Sequence, residues 1–110
     1  MRFRHIAALV AVALLVALPV AAQETTGAIT GAVRGQDGAL LPGATVVVTG
    51  PIGNVQSVTD ERGEFRFPRL PSGRYVVKAS LSGFATGESN VDLTVGSTAK
   101  VDFTLGLATV

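Results

Sequence analysis

Thr59-Asp60-Glu61-Arg62-Gly63-Glu64-Phe65-Arg66-Phe67-Pro68-Arg69-Leu70-Pro71-Ser72-Gly73-Arg74-Tyr75-Val76-Val77-Lys78-Ala79-Ser80-Leu81-Ser82-Gly83-Phe84 reads as turn, strand, turn, strand, turn. Acidic residues and glycine break the chain at 60–63, and Phe65 and Phe67 then alternate with polar neighbours. Leu70-Pro71-Ser72-Gly73 carries Pro and Gly at the second and fourth positions of a type I turn, and beyond it Tyr75, Val77, Ala79 and Leu81 share one face. A hairpin across this turn pairs Phe65 with Val77 and Phe67 with Tyr75, and it also sets Glu64 opposite Lys78. An exposed pair of that kind contributes only about 0.2–1 kcal/mol, so its value is as support for the register.

The same period-two pattern extends outward in both directions. Ile29, Gly31 and Val33 form one face of a strand that stops at Gln36-Asp37-Gly38, where Asp and Gly favour a tight turn. Leu41-Pro42-Gly43-Ala44 fits a type II turn, with positive φ required at Gly43, and it sends Ala44, Val46 and Val48 inward with Thr45 and Thr49 outward. Val47 is an outward-facing exception. A third strand over 54–59 is weakly patterned, because Val55 and Val58 lie on opposite faces, and its register stays open. A loop of small and polar residues at 85–90 leads to Val91, Leu93 and Val95, and a last strand offers Val101, Phe103 and Leu105. That makes seven strands and no segment of helical periodicity after residue 22, the pattern of an all-β sandwich or barrel. The shortest hairpin joining the last two strands would put Asp92 opposite Asp102, which is unfavourable. Either the loop is longer, running over 96–100 with Leu93 facing Phe103, or the two strands belong to different sheets.

The first residues have a different character. Arg2, Arg4 and His5 precede an apolar run from Ile6 to Leu18 that ends at Pro19, the layout of a secretory signal peptide. A spanning helix needs about 20 apolar residues, more than this run supplies. Val20 and Ala22 are the small residues that a signal peptidase accepts three and one positions before the cleaved bond, so cleavage is expected between Ala22 and Gln23. Residues 1–22 are then a signal peptide and residues 23–110 one exported domain.

Cleavage removes the only His and the only Met, and the chain has no Cys and no Trp. Zinc sites and the usual Ser or Cys nucleophile arrangements are built from His and Cys, so neither catalysis, nor a metal, nor a cofactor is expected. Over the whole chain Lys and Arg number 9 against 8 acidic residues, and losing Arg2 and Arg4 tips the balance slightly acidic. Nucleic acid and anionic membrane are therefore not expected as partners. Asp60, Glu61 and Glu64 read as solvated turn residues interleaved with Arg62 and Arg66. Phe65, Phe67, Tyr75 and Phe103 fall on inward positions, with the Tyr75 hydroxyl at the sandwich edge. Phe84 reads as a plug beneath a loop.

The segment 59–84, together with Gly31, Leu41-Pro42-Gly43-Ala44 and Val46, resembles the carboxypeptidase regulatory-like family. The resemblance implies a seven-stranded prealbumin-like (transthyretin-like) Greek-key β-sandwich. In metallocarboxypeptidases such a module accompanies a separate zinc domain, whose ligands this chain lacks. A similar module follows the signal peptide and precedes the plug and barrel in outer-membrane proteins that look like TonB-dependent receptors. What the resemblance and the export signal together imply is a non-catalytic interaction or structural module of the periplasm, the outer membrane or the medium, with a protein partner. Contact is expected through loops at 50–53 and 85–90 and through an open sheet edge. The alternative is a carbohydrate-binding module of the starch-binding-like type, with Tyr75 and Phe84 as its candidate ligand contacts.

Mass spectrometry of the protein recovered from the cell envelope is expected to find Gln23 at the N-terminus. Recovery of the mature protein with Met1 retained would establish a membrane anchor instead.

Overall fold

The computed structural model describes residues 25–108. The expected cleavage site at Ala22 and Gln23, with the signal helix before it, lies outside them. Eight strands run in chain order: β1 (Thr26–Gly35), β2 (Thr45–Gly50), β3 (Gly53–Val58), β4 (Glu64–Pro71), β5 (Gly73–Ser80), β6 (Gly87–Leu93), β7 (Thr98–Lys100) and β8 (Phe103–Leu105). They form two sheets. In one, β1 is central, antiparallel to β4 and parallel to β7 and β8; the other has the order β3-β2-β5-β6, antiparallel throughout. Among the described residues no helix is long and apolar enough to cross a membrane.

The core follows the alternation read from sequence, because successive strand residues point to opposite faces. Ile29 and Val33 of β1, Val46 and Val48 of β2, Phe65 and Phe67 of β4, Tyr75, Val77 and Ala79 of β5, and Phe103 and Leu105 of β8 are buried together with Ala44, Leu70, Leu93 and Val101. Phe65 lies at the centre of the aromatic contacts, with ring centroids 6.1 Å from Phe67 and 6.3 Å from Phe103, both tilted. Val47 is half-buried on the outer face and Leu81 half-buried at the core margin, whereas Val58 and Val95 are exposed.

The pairing differs from the sequence reading in three places. First, β4 and β5 are not a hairpin. Phe67 pairs with Ile29, and Tyr75 lies between β2 and β6 opposite Val91, so Leu70-Pro71-Ser72-Gly73 carries the chain from one sheet to the other. Glu64 is opposite Ala32, and Lys78 is opposite Val47 and Glu88. Second, the expected seventh strand is two pieces, β7 and β8, with a break at Val101 and Asp102. Third, the expected loop at 85–90 is mostly strand, since β6 already begins at Gly87. The Asp92 and Asp102 conflict is resolved by the second of its two solutions, with β6 and β8 in different sheets.

The break between β7 and β8 has a local cause. A Cβ on Gly31 would overlap the carbonyl of Val101 and crowd the ring of Phe65, so only glycine lets the last strand pass so close to β1. Val101 N–H donates to the Thr30 carbonyl at 2.7 Å, and the Asp102 carboxylate accepts from Ala32 N–H at 3.1 Å. The side chain thus supplies an acceptor where the ladder is interrupted. On the opposite side of β1 the register slips between Gly27 and Ile29, which face Leu70 and Phe67. Two residues, Pro68 and Arg69, therefore stand opposite the single Ala28. Pro68 has no N–H to offer a ladder, and Arg69 takes the left-handed conformation at φ 59° within the bulge.

Thr59 is the one buried polar side chain among the described residues. Its hydroxyl donates to the Leu41 carbonyl at 2.7 Å and accepts from Ala44 N–H at 2.8 Å, closing the turn over 41–44 in which Gly43 has φ 78°. The turn is legible in the sequence, whereas the residue that holds it is 15 positions from Ala44 and is not. Thr59→Val keeps the shape and removes both bonds, leaving a buried N–H and C=O without those partners. Denaturant unfolding is expected to show a loss of about 1–3 kcal/mol for Thr59→Val and a smaller one for Thr59→Ser, which retains the hydroxyl.

Candidate interaction surfaces

The two aromatic candidates fall at opposite ends of the sandwich. Tyr75 stands near the start of β5 and is only 2% exposed. Its ring covers Gly50, where any Cβ would overlap it, and its hydroxyl donates to the Pro71 carbonyl at 2.6 Å. The phenol thereby clamps the crossover between sheets to the β2–β3 turn, the logic of a tyrosine corner. Burial raises its pKa above the ordinary 10.0. Phe84 lies beyond the far end of β5, half-buried against the core and bridged through its backbone to Leu107. It borders a hollow of about 270 Å³ shared with Leu41, Leu105, Leu107, Gln36 and Asp37. The fold does not bring Tyr75 and Phe84 together, so they form no paired stacking platform.

In the turn over 60–63 one carboxylate is used locally. Asp60 accepts from Arg62 N–H and Glu64 N–H, both at 2.9 Å, and its carbonyl accepts from Gly63 N–H at 2.9 Å. This is an Asx-type turn lock. Among the described residues no three His, Cys, Asp or Glu side chains converge as a metal site would require. The arginines are likewise dispersed: Arg66 lies on β4, Arg69 at its bulge, and Arg74 on the other sheet, where it meets Asp92 at 3.3 Å in full solvent exposure. Such an exposed pair adds little to stability. The outer face of the β4-β1-β7 sheet forms a shallow hollow of about 470 Å³ that mixes Arg34, Arg66 and Lys100 with Asp60, Glu64 and Asp102, balanced in sign.

The sheet edges differ more sharply than the faces. β4 carries Glu64, Arg66, Pro68 and a bulge; β6 carries Glu88 and Asp92; β7 and β8 carry Lys100 and the break at Asp102. Charge, proline, bulges and short strands are the devices that prevent an edge from recruiting another strand. β3, Gly53-Asn54-Val55-Gln56-Ser57-Val58, has none of them. Its register with β2 is uninterrupted from Gly50↔Gly53 to Thr45↔Val58. Just past its end Thr59 N–H donates to the Ala44 carbonyl at 2.8 Å. Alternation along an antiparallel ladder then turns the N–H and C=O of Asn54, Gln56 and Val58 away from β2, towards a side with no ladder partner among the described residues. Ile52 and Val58, at the two ends of this edge, are 56% and 55% exposed. The missing charge in 53–58 was visible in the sequence, but its meaning depends on knowing that the strand is an edge.

Fold and surface define a small all-β sandwich module whose polar side chains cap turns and cover faces. The family model for the carboxypeptidase regulatory-like domain matches residues 28–106, and the chain belongs to that family. No curated protein sequence matches the chain. Among solved structures it is similar to a part of the Bacillus anthracis TIE protein, with TM-score 0.67 and 21% identity over 76% of this chain and 17% of that one. It is also similar to a minor pilin of Streptococcus agalactiae, with TM-score 0.64 and 21% identity over 80% and 47% of the two chains. A third similar structure is a putative carbohydrate binding protein of Pseudomonas aeruginosa, with TM-score 0.59 and 18% identity over 76% and 92%. The match spans less than half of the first two proteins and nearly all of the third. At these identities the likeness is one of fold.

The chain has a single tyrosine, so Tyr75 can be followed alone. Its folded pKa is raised, so the neutral phenol stabilises the fold below the unfolded value of 10.0, and that contribution is lost as pH rises from there through the folded value. Tyrosinate absorbance is expected to titrate above 10.0 in the folded protein and to return to 10.0 in denaturant. The denaturation midpoint should fall over the same alkaline range. Tyr75→Phe should lose about 0.5–1.5 kcal/mol at neutral pH and abolish the tyrosinate signal.

Proposed function

We propose that the chain is a non-catalytic interaction module, exported to the periplasm, the outer membrane or the medium, that docks a protein partner by strand addition at β3. It is free-standing or the N-terminal extension of a TonB-dependent receptor-like protein. Counting β7 and β8 as one interrupted strand, its arrangement is read as the family's seven-stranded Greek-key sandwich. The observation that carries the proposal is the contrast between β3 and the other edges, for every other edge is blocked by charge, proline, bulge or break. An added strand satisfies main-chain groups along its whole length, and its side chains then select the partner. Six residues form a short ladder, so affinity is expected to be weak and suited to avidity within a larger assembly.

The carbohydrate reading has one observation in its favour, the hollow beside Phe84 with Gln36 and Asp37 as polar neighbours. Against it, Tyr75 is buried, and the Phe84 ring has one side committed to the core.

Gln56→Pro separates the readings. It removes one outward N–H from β3 while sparing the bonds to β2, and an edge strand tolerates proline there. Tagged protein is expected to capture a partner from envelope extract, Gln56→Pro to lose that capture with its fold intact, and Phe84→Ala to retain it. Saturable binding to a polysaccharide panel that disappears on Phe84→Ala would establish the carbohydrate reading instead.

A further inference from the structure

We infer that the strand added at β3 is the β3 of a second copy of this chain, paired antiparallel about a two-fold axis through Val55. The inference rests on the interaction-module reading above and deepens it by naming the partner. Three observations carry it. The edge has no charge, so two copies meet without the like-charge repulsion that self-pairing of β4, β6 or β7 would bring. The groups turned outward belong to Asn54, Gln56 and Val58, all on the outer face of the sheet. A two-fold axis perpendicular to the sheet keeps outer face beside outer face, which restricts self-pairing to registers that join residues of the same parity.

The third observation selects the register. Ile52, the second residue of the two-residue turn that leads into β3, and Val58, the last residue of β3, are both more than half exposed and bracket the edge. Centring the pair on Val55 sets Asn54 opposite Gln56 and Val55 opposite itself, and brings the Ile52 turn of each copy to the end of the ladder beside Val58 of the other. The exposed apolar side chains of the turn and of the strand end then cover one another, and the amides between them face a polar partner. Centring on Gln56 instead would pair Val58 with Asn54 and carry Ile52 two positions past Val58. The four-stranded sheet β3-β2-β5-β6 becomes one continuous sheet across the two copies. Such an interface is isologous and closed, so it ends at the dimer and does not propagate into fibres.

The test uses the full chain expressed and purified in the form the cell delivers. Sedimentation should show a reversible monomer–dimer equilibrium. Val58→Lys and Ile52→Glu are both surface changes, and each should weaken the dimer at least about tenfold. Together in one chain they should restore it, because Lys of one copy then faces Glu of the other. The chain has no cysteine, so single cysteines can be introduced cleanly. Val55 occupies a non-hydrogen-bonded position on the axis, where opposed Cα atoms come within disulfide range. Val55→Cys should cross-link to itself under mild oxidation and Gln56→Cys should not.

Cross-linking through Gln56→Cys and not Val55→Cys, or failure of the Ile52→Glu, Val58→Lys pair to restore association, overturns the register. A monomer at every concentration with no Val55→Cys cross-link overturns self-pairing. If Gln56→Pro still abolishes envelope capture in that case, β3 serves a different protein and the interaction-module reading survives. If capture is also unchanged, both are overturned.

Discussion

The last strand can lie against the central one only because residue 31 has no side chain. Any Cβ on Gly31 would occupy the space of the Val101 carbonyl, and Phe65 closes the remaining volume from within. With that contact available, the end of the chain runs parallel to β1, held by Val101 N–H on Thr30 and by the Asp102 carboxylate on Ala32 N–H. Val101, Phe103 and Leu105 then enter the core from the far side of β1, and β6 is left to end the opposite sheet. Both sheets take their composition from this one close approach.

A second device joins the sheets at the other end. Pro68 and Arg69 bulge out of the β4 ladder, Leu70 turns into the core, and Pro71 presents its carbonyl to the Tyr75 hydroxyl. Arg69 at positive φ stores a little strain, of the order of 1 kcal/mol, that the crossover holds in place. The same tyrosine packs over Gly50, and so the β2–β3 turn is anchored to the crossover by a buried ring. Of the two strands joined by that turn, β2 is paired on both sides while β3 is paired on one and has no fully buried side chain. A rigid corner thus presents a lightly packed strand, the combination expected of a segment that gains order from a partner.

The surface of this scaffold is not uniform. The outer face of the β4-β1-β7 sheet carries balanced charge, and the Asp60 carboxylate is spent on its own turn. Edges are where a sandwich most needs protection, and the chain protects them unequally. Related folds occur within a pilin, the TIE protein and a putative carbohydrate binding protein, a range that ties the sandwich to no single ligand.

The amino-acid sequence by itself determined which side of most strands is buried. Ile29, Val33, Val46, Val48, Phe65, Phe67, Val77 and Phe103 are inside because alternation is a property of neighbouring residues and needs no knowledge of the partner. It also determined the turns at Asp60 and Gly43, which are set by backbone preferences within four residues. Tertiary structure alone decided who pairs with whom. Leu70-Pro71-Ser72-Gly73 has the composition of a hairpin turn, yet it crosses between sheets, since β1 offers β4 a ladder and β2 and β6 claim both sides of β5. The open register of 54–59 was a problem of the same kind, because a strand with one valine on each face has no buried side to fix its partner. Only the fold shows that this neutral strand ends a sheet, and an edge is defined by what is missing beside it, which a local pattern of residues does not encode.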